Sequence, residues 1–384
     1  MRKSKLVSLM LVIIILAMSL TACGKKASDD VIKIGYVGAL SGETAVWGQA
    51  GLNGMLLTAK EINEAGGILG KQVEVVGLDG RGDPTDSVNA FRRLATEENV
   101  IAVIGTNFSS CNIAMAPIAD QLEVPLIATA ASNPKVTVDE DGNLHPYSFR
   151  IGFIDPFQGQ VLANLASAEL DAKTAGIIYD IGSDYSTGLS QYFEEQFVAN
   201  GGEVVAKVEG HSGDNDFRSQ LSVIAEANPD VILVPWIYKD VALIANQARE
   251  LGITAPLLGG DGWDSPELLS MAGEAIEGSF YTSQPSFANP VTKPYADAYM
   301  AEYNNLVPET EALFGHDGLY WIKDALERAG EATKPALREA LENTTQFDGL
   351  MGSMSVDPKT HNPAKPASVY TFVDGERLWF GDYK

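Results

Sequence analysis

Ile32-Lys33-Ile34-Gly35-Tyr36-Val37-Gly38-Ala39-Leu40 opens the part of the chain that decides the fold. Apolar residues dominate it and it runs into small ones, so it reads as a strand ending in a tight loop. Over residues 48–65, Leu52, Met55, Leu56, Ala59 and Ile62 recur at helical spacing, and Gly66-Gly67 stops that helix. Val73-Glu74-Val75-Val76 is the next strand. A helix over 84–97 comes after it, with Asp83 as N-cap and Pro84 at its first position. Residues 100–104 form a buried strand, 110–122 a helix, and Pro125-Leu126-Ile127-Ala128 another strand. Strands alternating with helices predict an α/β fold with a parallel, doubly wound sheet.

The alternation restarts after Arg150. Helices are expected over 156–170, 185–200, 217–227 and 239–251. Strands fall at Ala175-Gly176-Ile177-Ile178-Tyr179, over 204–208, at Val231-Ile232-Leu233-Val234, at Leu257-Leu258-Gly259 and at Ser279-Phe280-Tyr281. Residues 291–342 read almost wholly as helix, and short strands return around 368–373 and 378–380. A chain of 384 residues is long enough for two such domains.

The beginning of the chain reads as an address. Arg2, Lys3 and Lys5 precede an apolar run over 6–20, interrupted only by Ser8 and Ser19. That is the pattern of a secretory signal, too short for a comfortable membrane span. Leu20-Thr21-Ala22-Cys23 resembles a bacterial lipobox, which implies a signal peptide over 1–22 and a diacylated Cys23. Two acyl chains anchor stably where one does not. Residues 23–30 are the lipidated cysteine and a small, polar tether. The expected location is extracytoplasmic, held to the bacterial cell membrane through Cys23.

Composition excludes several classes. Lys and Arg number 27 against 51 Asp and Glu, a net charge of −24, which phosphate backbones would repel, so no nucleic-acid partner is expected. Four His and two Cys supply neither a metal cluster nor a disulfide framework, and no metal or cofactor is expected. No Gly-x-Ser-x-Gly elbow or phosphate-binding loop appears, so the chain is not read as an enzyme. Asp139-Glu140-Asp141-Gly142-Asn143 has the look of a calcium loop but lacks the later acidic ligand.

Open parallel sheets hold ligands at the carboxyl ends of their strands, so the residues just past each strand matter most. Gly105-Thr106-Asn107-Phe108-Ser109-Ser110 opens a helix with hydroxyls and backbone N–H groups, either an anion site or a plain N-cap. Thr129-Ala130-Ala131-Ser132-Asn133-Pro134 is again small and hydroxylic. In the second half, Gly182-Ser183-Asp184-Tyr185 leads into a helix, and Pro235-Trp236-Ile237-Tyr238 places an aromatic after an apolar strand. Gly259-Gly260-Asp261-Gly262-Trp263 sets a carboxylate among glycines. Donors on one side with a carboxylate and aromatics on the other suit a zwitterion.

Gly38-Ala39-Leu40-Ser41-Gly42, the stretch over 59–70 and Asp83-Pro84 resemble the N-terminal signature of type I periplasmic binding proteins. The branched-chain amino acid (Leu/Ile/Val) binding proteins of ABC importers are the nearest group. The similarity continues through Gln247-Ala248-Arg249-Glu250-Leu251-Gly252 and Gly315-His316-Asp317. The resemblance implies that Ser109 holds the α-carboxylate and that Ser132 contacts carboxylate and ammonium, with the Ala130 carbonyl beside it. It further implies that Tyr185 closes over the ligand, Asp261 takes the ammonium and Trp47 covers the side-chain pocket. Asn107, Phe108 and Trp236 depart from the smaller or more apolar residues common in the family, and Phe108 and Trp236 join the expected lining.

The expected architecture is two doubly wound lobes, 31–149 with 284–348 and 150–283 with 349–384. A three-crossover hinge joins them near Arg150, Thr282 and Gly349. The expected function is capture of an amino acid, branched-chain or otherwise apolar, and its delivery by a monomer to an ABC permease. Binding of an amide, urea or another small polar solute, or service as a ligand sensor's partner, is the alternative.

Overall fold

A computed structural model describes residues 31–285 and 291–383; the expected signal peptide, Cys23 and the tether lie outside them. The first sheet has the order β2-β1-β3-β4-β5, all parallel: β1 Val31–Gly38, β2 Gln72–Asp79, β3 Ala102–Ile104, β4 Leu126–Ala128 and β5 Ser148–Arg150. The second is built from β6 Thr174–Asp180, β7 Glu203–Gly210, β8 Val231–Leu233, β9 Leu257–Gly259 and β10 Phe280–Ser283, parallel in the order β10-β9-β8-β6-β7. Two C-terminal strands, β14 Ala367–Val373 and β15 Glu376–Tyr383, extend it antiparallel beyond β10. The second lobe's sheet is therefore mixed rather than purely parallel.

Local chemistry agrees with the sequence at the first helix ends. Asp83 caps the helix Pro84–Arg93 by accepting the Asp86 N–H at 2.9 Å. Asp79, at the end of β2, ties down the loop after β1: its carboxylate accepts the Leu40 N–H and the Ser41 hydroxyl. Ala45–Glu64 then packs on Glu311–Ala329 so closely that a Cβ on Gly315 would lie 2.3 Å from the Gly51 carbonyl. Only glycine allows that approach. Asp139 closes a tight turn, accepting the Asp141 and Asn143 N–H groups. Among the described residues no group of three or more His, Cys, Asp or Glu is placed to hold a metal ion, and no helix is long and apolar enough to cross a membrane.

One boundary differs from expectation. The sequence places the return to the second lobe at Gly349. Instead β11 Phe347–Gly349, β12 Gly352–Val356 and β13 Pro363–Ala364 make a small antiparallel sheet. Phe347, Met351, Met354 and Val356 belong to the first lobe's core. Asp317 secures them by accepting the N–H groups of Leu350 and Met351 at 2.9 and 2.8 Å. The chain reaches the second sheet only at β14, so the third crossing lies between Ala364 and Ala367.

The lobes touch on both flanks of the space between them. Trp47 of the first packs edge-on to Tyr238 of the second, ring centroids 5.0 Å apart. Lys239 Nζ donates to the Glu43 carbonyl at 2.6 Å and Asn133 Nδ2 to the Asp184 carbonyl at 2.6 Å. Thr310 Oγ1 donates to Asp264 at 3.0 Å. These contacts bridge the two lobes.

Candidate functional site

Between the lobes lies a cavity of about 270 Å³. Its walls include Trp47, Phe108, Ser109, Ala130, Tyr185, Trp236 and Asp261, all expected from the sequence. Ser132 is not among them. It is buried, and its carbonyl accepts the Asp155 N–H at 2.9 Å. Trp263, which also stands just past a strand end, lies in the core, stacked on Tyr281 with Nε1 donating to the Val234 carbonyl.

The first lobe presents a helix start. Ser109–Leu122 begins with Phe108 in the cap position, and no side chain caps it. Neither Ser109 nor Ser110 is an N-cap. Ser109 Oγ accepts the Asn133 N–H at 3.2 Å and Ser110 Oγ accepts the Asp184 N–H at 3.4 Å. Uncapped first-turn N–H groups and the positive end of the helix dipole face the cavity where Phe108, Ser109 and Ser110 line it. That is a place for a carboxylate.

The second lobe presents the opposite charge. Asp261 comes just after β9 and is gripped by Gln158, whose Nε2 donates to its carboxylate at 3.1 Å and whose Oε1 accepts its N–H at 3.0 Å. Thr282 Oγ1 donates to the same Oε1 at 2.7 Å, which fixes the amide's orientation. The Tyr185 hydroxyl accepts the Gly262 N–H at 3.2 Å and lies beside Asp261. Burial, with Asp264 nearby, pushes the Asp261 carboxyl up to about 7. Asp155, buried beneath, is also raised well above the ordinary range by desolvation.

Several of these residues escape sequence reading. Gln158 lies in a stretch that reads simply as helix. Arg150 stands out only as a boundary, yet its guanidinium is wholly buried and donates to the carbonyls of Ala131 and Asn133 at 2.8 and 2.7 Å. It thereby shapes the loop that carries Ala130. Glu311 and Gln284 line the cavity from the segments around the second crossing. Both sit in polar stretches of sequence, Thr282-Ser283-Gln284 and Glu309-Thr310-Glu311, and nothing along the chain marks them.

A family model described as periplasmic binding protein matches residues 31–377. The chain belongs to the periplasmic binding protein family. This binding protein is 28% identical over 332 residues to the leucine-, isoleucine-, valine-, threonine- and alanine-binding protein of Pseudomonas aeruginosa, covering 86% of this chain and 87% of that one. Among solved structures it is similar to a leucine binding protein of Thermotoga maritima, with TM-score 0.84 and 35% identity over 91% of this chain and 98% of that one. It is likewise similar to a branched-chain amino acid transporter substrate binding protein of Streptococcus pneumoniae solved with isoleucine. There the TM-score is 0.82 and the identity 32%, over 92% and 98% of the two chains.

The raised carboxyl of this binding protein has a consequence for pH. Its neighbours are Asp155, Asp264, Glu311 and Tyr185; beyond Asp264, Glu309 is itself pushed up to about 8 by burial and then by Asp264. The nearby Arg377 is taken by Asp264 at 2.6 Å. A carboxyl raised on folding stabilises fully below its unfolded value near 4, and that contribution is lost as pH rises through about 7. The unliganded protein should therefore melt at a lower temperature at about pH 8 than at about pH 5.5. A cationic ligand group needs the carboxylate charged, so binding should release a proton near pH 6–7 and tighten as pH rises. Calorimetry in two buffers of different ionisation enthalpy measures that proton. A melting temperature that rises steadily across the window would contradict the assignment.

Proposed function

We propose that this chain captures an amino acid in the cavity between its lobes and delivers it, without chemistry, to an ABC permease. The pairing of an uncapped helix start at Ser109 with the partly buried carboxylate of Asp261 across one cavity carries the reading. An α-carboxylate lies against the first, with Ala130 beside it, and an α-ammonium against the second, under Tyr185. Ser132 supports the site from behind, next to Asp155. The aromatic wall of Trp47 and Phe108 takes the apolar part of the side chain, while the Trp236 indole packs in the core behind it. The names of the relatives, which bind leucine, isoleucine or valine, support the branched-chain class. Mass spectrometry of ligand that co-purifies with the protein, together with a thermal-shift screen of all amino acids, tests this. A true ligand at 100 times its Kd stabilises by about 2.7 kcal/mol. If only amides or urea shift the melting temperature, the uncharged-solute reading replaces this one.

The reading includes a lipid anchor at Cys23, supported by the basic start, the apolar run and the small residues before the cysteine. Cys23→Ser should release the protein from membranes with ligand affinity unchanged, measured by fractionation and calorimetry. Retention of the variant on membranes in high salt would refute the anchor.

A further inference from the structure

The cavity is lined by four carboxyl groups, Asp180, Asp261, Asp264 and Glu311, and by no Lys, Arg or His among the described residues. Their local partners separate them. Asp180 accepts the Gly182 N–H within its own turn. Asp264 is fully engaged, by Arg377 at 2.6 Å and by Thr310, Tyr281 and Ser283. Asp261 has Gln158 and, on the amino-acid reading, the α-ammonium. Glu311 has nothing comparable: among the described residues its carboxyl makes no hydrogen bond or ion pair, although the residue is only 9% exposed.

Gln284 also lines this cavity. It is 1% exposed, and both amide atoms, Oε1 and Nε2, lack a hydrogen-bond partner. A buried amide left unsatisfied bears the full cost of its desolvation. Such groups are retained where a ligand completes them. Glu311 opens the helix Glu311–Ala329, where the helix dipole favours an acidic residue, but an exposed one would serve that purpose equally. Burial in the cavity wall calls for a cation as well.

The charges in the cavity point the same way. A zwitterion with an aliphatic side chain brings one ammonium for two neighbouring carboxyls, Asp261 and Glu311. Desolvation, with Asp261 and Asp264 nearby, raises the Glu311 carboxyl well above its ordinary range, as expected of an acid awaiting a counter-ion. A basic amino acid brings a second cation to this acidic cavity. Its methylene stem suits the aromatics Trp47 and Phe108, and its terminal charge is attracted to ring faces as well as to a carboxylate.

We propose that Glu311, with Gln284 beside the same cavity, selects an amino acid whose side chain ends in an ammonium or guanidinium group. The inference rests on the amino-acid reading and departs from the aliphatic preference of the relatives. Glu311 and Asp261 come from opposite lobes, so a ligand with two cationic groups removes the like-charge repulsion that closure otherwise creates.

Calorimetry of the full chain, freed of co-purified ligand by unfolding and refolding, with lysine, ornithine, arginine and leucine tests it. Wild type should hold at least one of the three basic amino acids about tenfold or more tighter than leucine. Glu311→Gln should lose about tenfold or more for that ligand and little for leucine, and Glu311→Leu should reverse the preference. Unliganded melting curves establish that each variant is folded, and the wild-type panel stands even if one is not. Leucine binding more tightly than all three basic amino acids overturns the inference while leaving the amino-acid reading intact. So does an unchanged affinity in a folded Glu311→Gln. Binding of no amino acid at all, with an amide or amine binding instead, overturns both.

Discussion

Asp261→Ala should weaken amino-acid binding by roughly 2–5 kcal/mol, the range for truncating one partner of a desolvated charge pair. Inside the cavity an ammonium is stripped of water, and a lone cation there is costly. Asp261 is the carboxylate held ready for it: Gln158 grips both its carboxylate and its backbone N–H, and Thr282 fixes the amide. Asp261 opens a single helical turn, Asp261–Trp263, just past the end of β9 and between Gly260 and Gly262, so the substitution should leave the fold intact. The decisive comparison uses a carboxylic acid that lacks the amino group. It should bind wild type poorly and lose little more in the variant. Calorimetry on both proteins with both ligands closes the double cycle. Equal affinity of wild type and variant for the amino acid would make Asp261 a turn residue and favour an uncharged solute.

Arg150→Ala should cost roughly 3–5 kcal/mol of folding stability, from the loss of two buried hydrogen bonds to a charged group at about 1.5–3 kcal/mol each. Burial lowers the guanidinium to about 10, so it remains charged at neutral pH, helped by Asp155 nearby. It sits at the end of β5, where the chain first leaves the first lobe, and clamps the carbonyls of Ala131 and Asn133. Its removal strands those carbonyls and leaves Asp155 buried with one counter-charge fewer. Asn133 in turn donates its N–H to Ser109 Oγ and its side-chain amide to the Asp184 carbonyl, so the loosened loop reaches both the carboxylate site and the lobe contact. Ligand affinity should fall along with stability. Arg150→Lys should rescue only partly, because an ammonium on a flexible stem does not reproduce a planar fork. Urea melts and calorimetry below the transition measure the two effects. A stability loss under about 1 kcal/mol would remove Arg150 from this role.

The alternation of elements and most of the cavity wall are legible along the chain. Periodicity is local: Leu52, Met55, Ala59 and Ile62 share one helix face whatever surrounds them, and runs such as Val231-Ile232-Leu233 leave little choice but a buried strand. Ligand residues are legible where topology obliges them to be, at the ends of strands β3, β4, β8 and β9, which is why Ser109, Ala130, Trp236 and Asp261 can be named from their positions. Packing in three dimensions is needed to say which groups complete that wall and how the tail divides. Trp236 and Trp263 stand at strand ends where an exposed aromatic would line the cavity, yet both turn their indoles into the second lobe's core, Trp236 donating to the Ile178 carbonyl and Trp263 to the Val234 carbonyl, because a strand end does not specify the direction of the next side chain. The sheet at 347–364 joins the first lobe because Asp317, on a helix that precedes it, accepts its N–H groups. Gln158, Arg150, Gln284 and Glu311 lie far from the motifs in sequence, and each acquires its role only when packing takes it out of water beside a distant partner or leaves it there without one. Desolvation is a property of the assembled fold, and no residue pattern along the chain encodes it.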